Sequence, residues 1–154
     1  MFTKEEEKAI RIEFWQKLEN RTRRLPGQKG RKRFWIFDRT GVKGLDLRFD
    51  VDRTKAAVAL EINHKSEDVR LQLFEKLQAA KSLFDEHFDI KPTWDYVYEK
   101  PTGELVCRVY LERKGDILNK EKWPEMSYFL IDNMMKFENA FLEVKEYLQS
   151  DINL

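Results

Sequence analysis

Leu45-Asp46-Leu47-Arg48-Phe49-Asp50-Val51-Asp52-Arg53-Thr54-Lys55-Ala56-Ala57-Val58-Ala59-Leu60-Glu61-Ile62 is the stretch that decides the fold. Leu45, Leu47, Phe49 and Val51 alternate with Asp46, Arg48 and Asp50. After the polar run Asp52 to Lys55, a second alternating set follows: Ala56, Val58, Leu60 and Ile62. A period of two marks strands that rest one face on a core. Two such strands around a polar loop make a hairpin, and matching their apolar faces fixes the register. Val51 then opposes Ala56, and Asp46 opposes Glu61.

Working upstream, Asp38 to Gly44 reads as a loop with two glycines, and Phe34-Trp35-Ile36-Phe37 as a short strand buried on both sides. Leu25-Pro26-Gly27-Gln28-Lys29-Gly30 is a loop. Before it, Thr3 and Glu6 form a capping box, and Ile10, Phe14 and Leu18, with Trp15 beside them, give a helix that fades near Arg21 to Arg24.

Downstream, Ser66 followed by Glu67 and Asp68 starts a helix. Its stripe is Leu73, Leu77, Ala80, Phe84 and Phe88, with Phe74 at the side, and it ends before Pro92. Trp94, Tyr96 and Tyr98 alternate, Pro101-Thr102-Gly103 turns, and Leu105, Cys107, Val109 and Leu111 alternate again. The register expected for this hairpin sets Tyr98 opposite Leu105, Tyr96 opposite Cys107 and Trp94 opposite Val109. On the other face it sets Val97 opposite Val106 and pairs Asp95 with Arg108 as ions. A last helix begins at Asn119 as N-cap or at Pro124 in the first turn, and runs to about Leu148. The order α-β-β-β-α-β-β-α predicts one α+β domain over residues 1–154, a mostly antiparallel five-stranded sheet packed by helices.

Composition sets the outer bounds. The 154 residues suffice for one core, and 42% hydrophobic residues are too many for a disordered chain. No run approaches the length of a membrane span, so no membrane partner is expected. The acidic start, Met1 to Glu7, lacks the basic and apolar regions of a signal peptide, and a single cysteine leaves no internal disulfide or multi-thiolate metal site. The expected location is the cytoplasm. The net charge of +1 conceals a polarised chain: Arg21, Arg23, Arg24, Lys29, Arg31, Lys32 and Arg33 fall in one stretch without an acid, and removing these seven leaves −6 on the rest.

Those seven basic residues, ending beside Phe34 and Trp35, are the candidate nucleic-acid-binding set: cations for phosphates, with aromatics to stack a base. The plain alternative is a solvated loop and a core strand. Asp46 and Glu61, opposed on one sheet face, repel unless a cation lies between them, which makes them a candidate Mg²⁺ pair. Screening by Arg48 and solvent is the alternative. The order of helix, three strands, helix and strand is similar to the restriction-endonuclease-like core, which has an Asp on its second strand and an acid-x-Lys on its third. Here the third strand reads Glu61-Ile62-Asn63, so the Lys that assists the attacking water is missing, and Lys65 shares the face only if the strand continues. Cys107 reads as a core filler, and His64 and His87 have no catalytic pattern around them. No P-loop or dinucleotide fingerprint occurs, and no catalytic residue is assigned. In the last helix, Leu130, Met134, Phe137, Phe141, Val144 and Leu148 are spaced 4, 3, 4, 3, 4. Such a stripe packs on the domain's own sheet or forms a seam with a second copy.

Glu13-Phe14-Trp15, the loop Thr40 to Gly44, the segment Leu71 to Leu77, Trp94, and Trp123-Pro124 leading to Phe129-Leu130 together resemble the bacterial domain-of-unknown-function family 4268 in its short stand-alone form. The resemblance spans nearly the whole chain, and its motifs are structural positions that name no chemistry. Longer relatives carry a restriction-endonuclease-like domain ahead of this one, which implies a link to DNA handling or defence. The expected function is a non-catalytic module that binds nucleic acid through the basic edge, or a protein, its own second copy first. The alternatives are a divergent or decayed nuclease using Mg²⁺ and a structural homodimer. No other cofactor is expected.

Overall fold

The first hairpin forms as its alternation requires. In a computed structural model of the chain, which describes residues 1–25 and 40–150, β1 (Leu45–Val51) and β2 (Lys55–Ile62) pair antiparallel, with Val51 opposite Ala56 and Asp46 opposite Glu61. The turn is closed by Asp52, whose Oδ1 accepts from the backbone N–H groups of Thr54 and Lys55 at 2.8 and 2.9 Å. β3 (Thr93–Glu99) and β4 (Leu105–Lys114) complete the sheet in the order β1-β2-β4-β3, with every pairing antiparallel. The sheet therefore has four strands among the described residues, not five. The strand expected over Phe34 to Phe37 lies outside them.

The second hairpin corrects half of its expected register. Trp94 opposes Val109 and Asp95 opposes Arg108, but then Tyr98 opposes Val106 and Glu99 opposes Leu105. The cause is local. Asp95 Oδ1 accepts from the backbone N–H of Val97 at 3.0 Å, and a bulge follows between Asp95 and Tyr98. One extra residue turns all that follows to the other face. Trp94 packs into the core against Phe74 and Phe84, whereas Tyr98 lies on the reverse face against Arg108 and Tyr110.

The helices stack on one side. α1 (Lys4–Arg23) carries the capping box, with Thr3 and Glu6 bonded reciprocally at 3.1 and 3.0 Å. The expected single helix from Ser66 toward Pro92 is two: α2 (Glu67–Ala79), capped by Ser66, and the short α3 (Lys81–Asp85) after a break at Ala80. Its stripe nevertheless stays buried from Leu73 through Phe88. Both expected starts of the last helix are used. Asn119 caps a 3-10 turn over Lys120–Lys122, and α4 (Trp123–Gln149) follows with Pro124 in its first turn.

β2 is the centre of the fold, with Ala56 to Ile62 buried on both faces. Toward the helices, Ala56, Val58, Leu60 and Ile62 meet Phe14, Leu73, Leu77, Phe84 and the α4 stripe. Leu130, Met134, Phe137, Phe141 and Val144 are at most 2% exposed within the single chain, and Phe137 packs its ring on Phe84 and Phe88 at 5.9 and 4.8 Å. Each such side chain contributes about 1.5–3 kcal/mol by leaving water. Within the single chain, that surface is spent on core packing.

Candidate functional site: a cationic cleft and a compensated carboxylate pair

The helical spacing of α1 puts Glu13, Lys17, Asn20, Arg21 and Arg24 on neighbouring turns of one face. That face meets the 3-10 turn and the start of α4 across a cleft of about 390 Å³, lined by Phe14, Lys17, Asn20, Arg21, Arg24, Lys120, Trp123, Pro124 and Ser127. Trp123 is fixed as part of its floor. The indole Nε1–H donates to the carbonyl of Ile117 at 2.7 Å, and the ring stands edge-on to Phe14 at 5.3 Å. Lys17 and Lys120 each hold an ammonium 5.5 Å from the Trp123 ring centre. Glu13 ties both lysines, accepting from Lys120 at 2.8 Å and pairing with Lys17 at 3.0 Å. Those bonds, first from Lys120 and then from Lys17, hold its carboxyl below the usual range.

Arg21 and Arg24 differ from these lysines. Among the described residues, neither guanidinium has an acidic partner, and the side chains of Asn20 and Ser127 make no hydrogen bond. Arg23 points elsewhere, in an ion pair with Glu19 one turn back. Of the seven expected basic residues, two line the cleft and one does not, while Lys29, Arg31, Lys32 and Arg33 lie outside the described residues. Sequence reading missed Lys17, Lys120, Asn20, Trp123 and Ser127. A signal existed for the α1 half, because positions 17, 21 and 24 repeat at helical spacing.

The reverse face of the sheet brings Asp46 and Glu61 together as the register required. It also compensates them. Asn63 Nδ2 donates to Asp46 Oδ2 at 2.9 Å and to Glu61 Oε2 at 2.8 Å, so the residue standing where an acid-x-Lys motif has its lysine bridges the two acids with an amide. Glu61 is fully buried, and three cations reach it: Arg108 at 3.3 Å, Lys100 at 3.4 Å and Arg48 at 3.7 Å. Arg108 also pairs with Asp50, which corrects the expected pairing with Asp95. The bulge has engaged Asp95 with its own backbone, and β2 and β4 set Glu61 directly beside Arg108. Burial works against the charge on Arg108, but Asp50 and then Glu61 outweigh it and raise its pKa above the ordinary value. The guanidinium also lies 4.5 Å from the centre of the Tyr98 ring.

β2 ends at Ile62, and Lys65 is an exposed loop residue beyond it, so no strand carries it onto the Glu61 face. Among the described residues, no group of three or more His, Cys, Asp or Glu side chains is arranged to hold a metal ion, and no helix is long and apolar enough to cross a membrane. Cys107 is buried on the core side of β4, and burial pushes its thiol up to about 11. His64 Nδ1 accepts from the Ser66 N–H at 3.0 Å, and His87 Nε2 lies 3.3 Å from Glu143.

A family model described as "Domain of unknown function (DUF4268)" matches residues 10–145 of the chain. No curated protein and no solved structure matches it.

Proposed function

The chain belongs to the DUF4268 family, whose description carries no activity, and from its cleft we propose that it is a non-catalytic module contacting the phosphate backbone of nucleic acid. The observation that carries this reading is the pair Arg21 and Arg24. Both guanidiniums line a concave surface without an acidic partner among the described residues, while Lys17 and Lys120 in the same cleft are tied to Glu13. A guanidinium presents a planar fork of donors that suits phosphate oxygens, and it is more weakly hydrated than an ammonium. Lys17 and Lys120 add charge at the rim. The single cysteine, held as a buried thiol, supports a cytoplasmic setting.

The test is fluorescence anisotropy with a short labelled oligonucleotide over a salt series. Affinity should fall steeply as salt rises, with the logarithmic slope increasing by roughly 0.7–0.9 for each phosphate neutralised. Arg21→Ala with Arg24→Ala should weaken binding and flatten the slope by about two such increments. Binding that ignores salt, or that survives the double replacement unchanged, refutes the reading. The rival, a divergent nuclease of the restriction-endonuclease-like kind centred on Asp46 and Glu61, draws support from their register alone. It predicts that Mg²⁺ raises the melting temperature and that Asp46→Asn cancels the rise.

A further inference from the structure

We infer that the phosphate seated in the cleft is a terminal one: the monoester at the end of a strand, entering oxygens first, with Arg21 and Arg24 at its sides and the Ser127 hydroxyl beneath it. This rests on the reading above and narrows it to strand ends.

Three observations carry it. The first is a buried hydroxyl without a partner. Ser127 lines the cleft and is only 9% exposed, yet its side chain makes no hydrogen bond among the described residues. A helical serine can bond the carbonyl four residues back, and a buried polar group left unbonded costs free energy. An acceptor brought in from outside meets that need, and a phosphate oxygen is a strong one.

The second is the closed bottom. Phe14, Trp123 and Ser127, all at most 9% exposed, shut the inner end of a cavity of about 390 Å³. A phosphate within a strand has a sugar on either side, so it suits a groove along which both sugars can run. A monoester has a single substituent and three acceptor oxygens, and its free side can lead into a blind notch.

The third is charge. Lys17, Arg21, Arg24 and Lys120 line the cleft, and none of its lining residues is an acid. Glu13 beside them offsets one positive charge, pairing with Lys17 and Lys120. α4 adds its positive end on the same wall. Its N-cap residue, Lys122, makes no side-chain cap bond, and the acid of its first turn, Glu125, is held by Arg113 and Lys122 at 3.5 and 3.6 Å. A phosphate within a strand brings one negative charge to this surplus, whereas a monoester brings about 1.5 to 2.

The experiment compares one internally labelled oligonucleotide in three forms by anisotropy at physiological ionic strength: with a 5′-phosphate, with a 3′-phosphate, and with hydroxyls at both ends. At least one phosphorylated form should bind about tenfold tighter than the hydroxyl form, the scale of one hydrogen bond to a charged group. Ser127→Ala provides the second arm. Alanine favours the helix, and the change deletes a hydroxyl that bonds nothing, so the melting temperature should hold or rise. The variant should erase most of the advantage of the phosphorylated end while the hydroxyl form binds as before through Arg21 and Arg24. Inorganic phosphate should displace the phosphorylated strand only well above the concentration at which the unlabelled strand does. Equal binding of the three forms, or an end preference that survives Ser127→Ala, overturns this inference and leaves phosphate contact standing. Absence of salt-dependent binding to all three forms, or displacement by inorganic phosphate at matched concentration, overturns both.

Discussion

Glu61→Gln keeps the shape of a fully buried side chain and deletes its charge. In the native protein that charge faces Arg108, Lys100 and Arg48, while the Asn63 amide satisfies Oε2. After the change, Arg108 retains Asp50, Arg48 retains Asp50 at 4.0 Å and Lys100 retains Glu104 at 3.9 Å. Arg108, only 3% exposed, is left with one acid where it had two. Removing one partner from a buried ion pair costs about 3–5 kcal/mol. The surviving contact to Asp50 puts the expected cost at the low end, about 3 kcal/mol. For a chain of 154 residues this corresponds to a melting temperature lower by roughly 6–12 °C.

Urea and thermal unfolding followed by circular dichroism measure that loss. A cycle with Arg108→Met identifies its source. The double variant Glu61→Gln with Arg108→Met should be more stable than the sum of the two single losses predicts, by about 1–3 kcal/mol, because neither charge is then stranded. A Glu61→Gln protein that melts within about 2 °C of wild type, or single effects that add within about 0.5 kcal/mol, would refute the account of the reverse face as a coupled network.

Two further expectations concern the loops and the thiol. Gly44 has φ +81°, and a Cβ there would lie 2.5 Å from His64 Cβ and 2.9 Å from His64 Cα. Gly103 has φ +88° with open space around it. Gly103→Ala should therefore cost about 1–2 kcal/mol for the left-handed backbone alone, and Gly44→Ala clearly more in the same urea assay; equal losses would show that His64 gives way. Cys107, with its thiol raised to about 11 from 9.0, favours the folded state while it stays protonated. That contribution is complete below about pH 9, because neither state has ionised, and it is lost as pH rises from 9 toward 11, where the unfolded chain releases the proton first. Cys107→Ala should melt with a shallower decline over that window, and native Cys107 should resist iodoacetamide at neutral pH until urea is added; ready native alkylation would contradict its placement in the core.

The first hairpin was readable because two rows of apolar residues admit one register, and the whole core depends on it. The second was readable only as far as Asp95. A short polar side chain bonding its own backbone is a local choice that alternation does not reveal, and it shifted Tyr98 to the face where Arg108 lies. The break at Ala80 was equally hidden, since no glycine or proline interrupts the stripe from Leu73 to Phe88. Alternation placed Asp46 and Glu61 together but described their face as half exposed. Glu61 is instead covered, because Arg108 stands directly across from it on β4 and the small Ala59, two residues back on β2, lies between the long side chains of Arg48 and Tyr110. Asn63 was read as a missing lysine, although an amide between two carboxylates has a purpose of its own. The cleft lay beyond sequence reading as a whole, since its walls come from residues 17–24 and 120–127 and only tertiary packing joins them.

That origin of the walls has a consequence for how the protein matures. A ribosome finishes α1 long before α4 emerges, so the cavity cannot exist until residues 120–127 have been added and packed against residues 17–24. Whatever lodges there afterwards would bridge two segments far apart along the polypeptide, acting as a clasp between them.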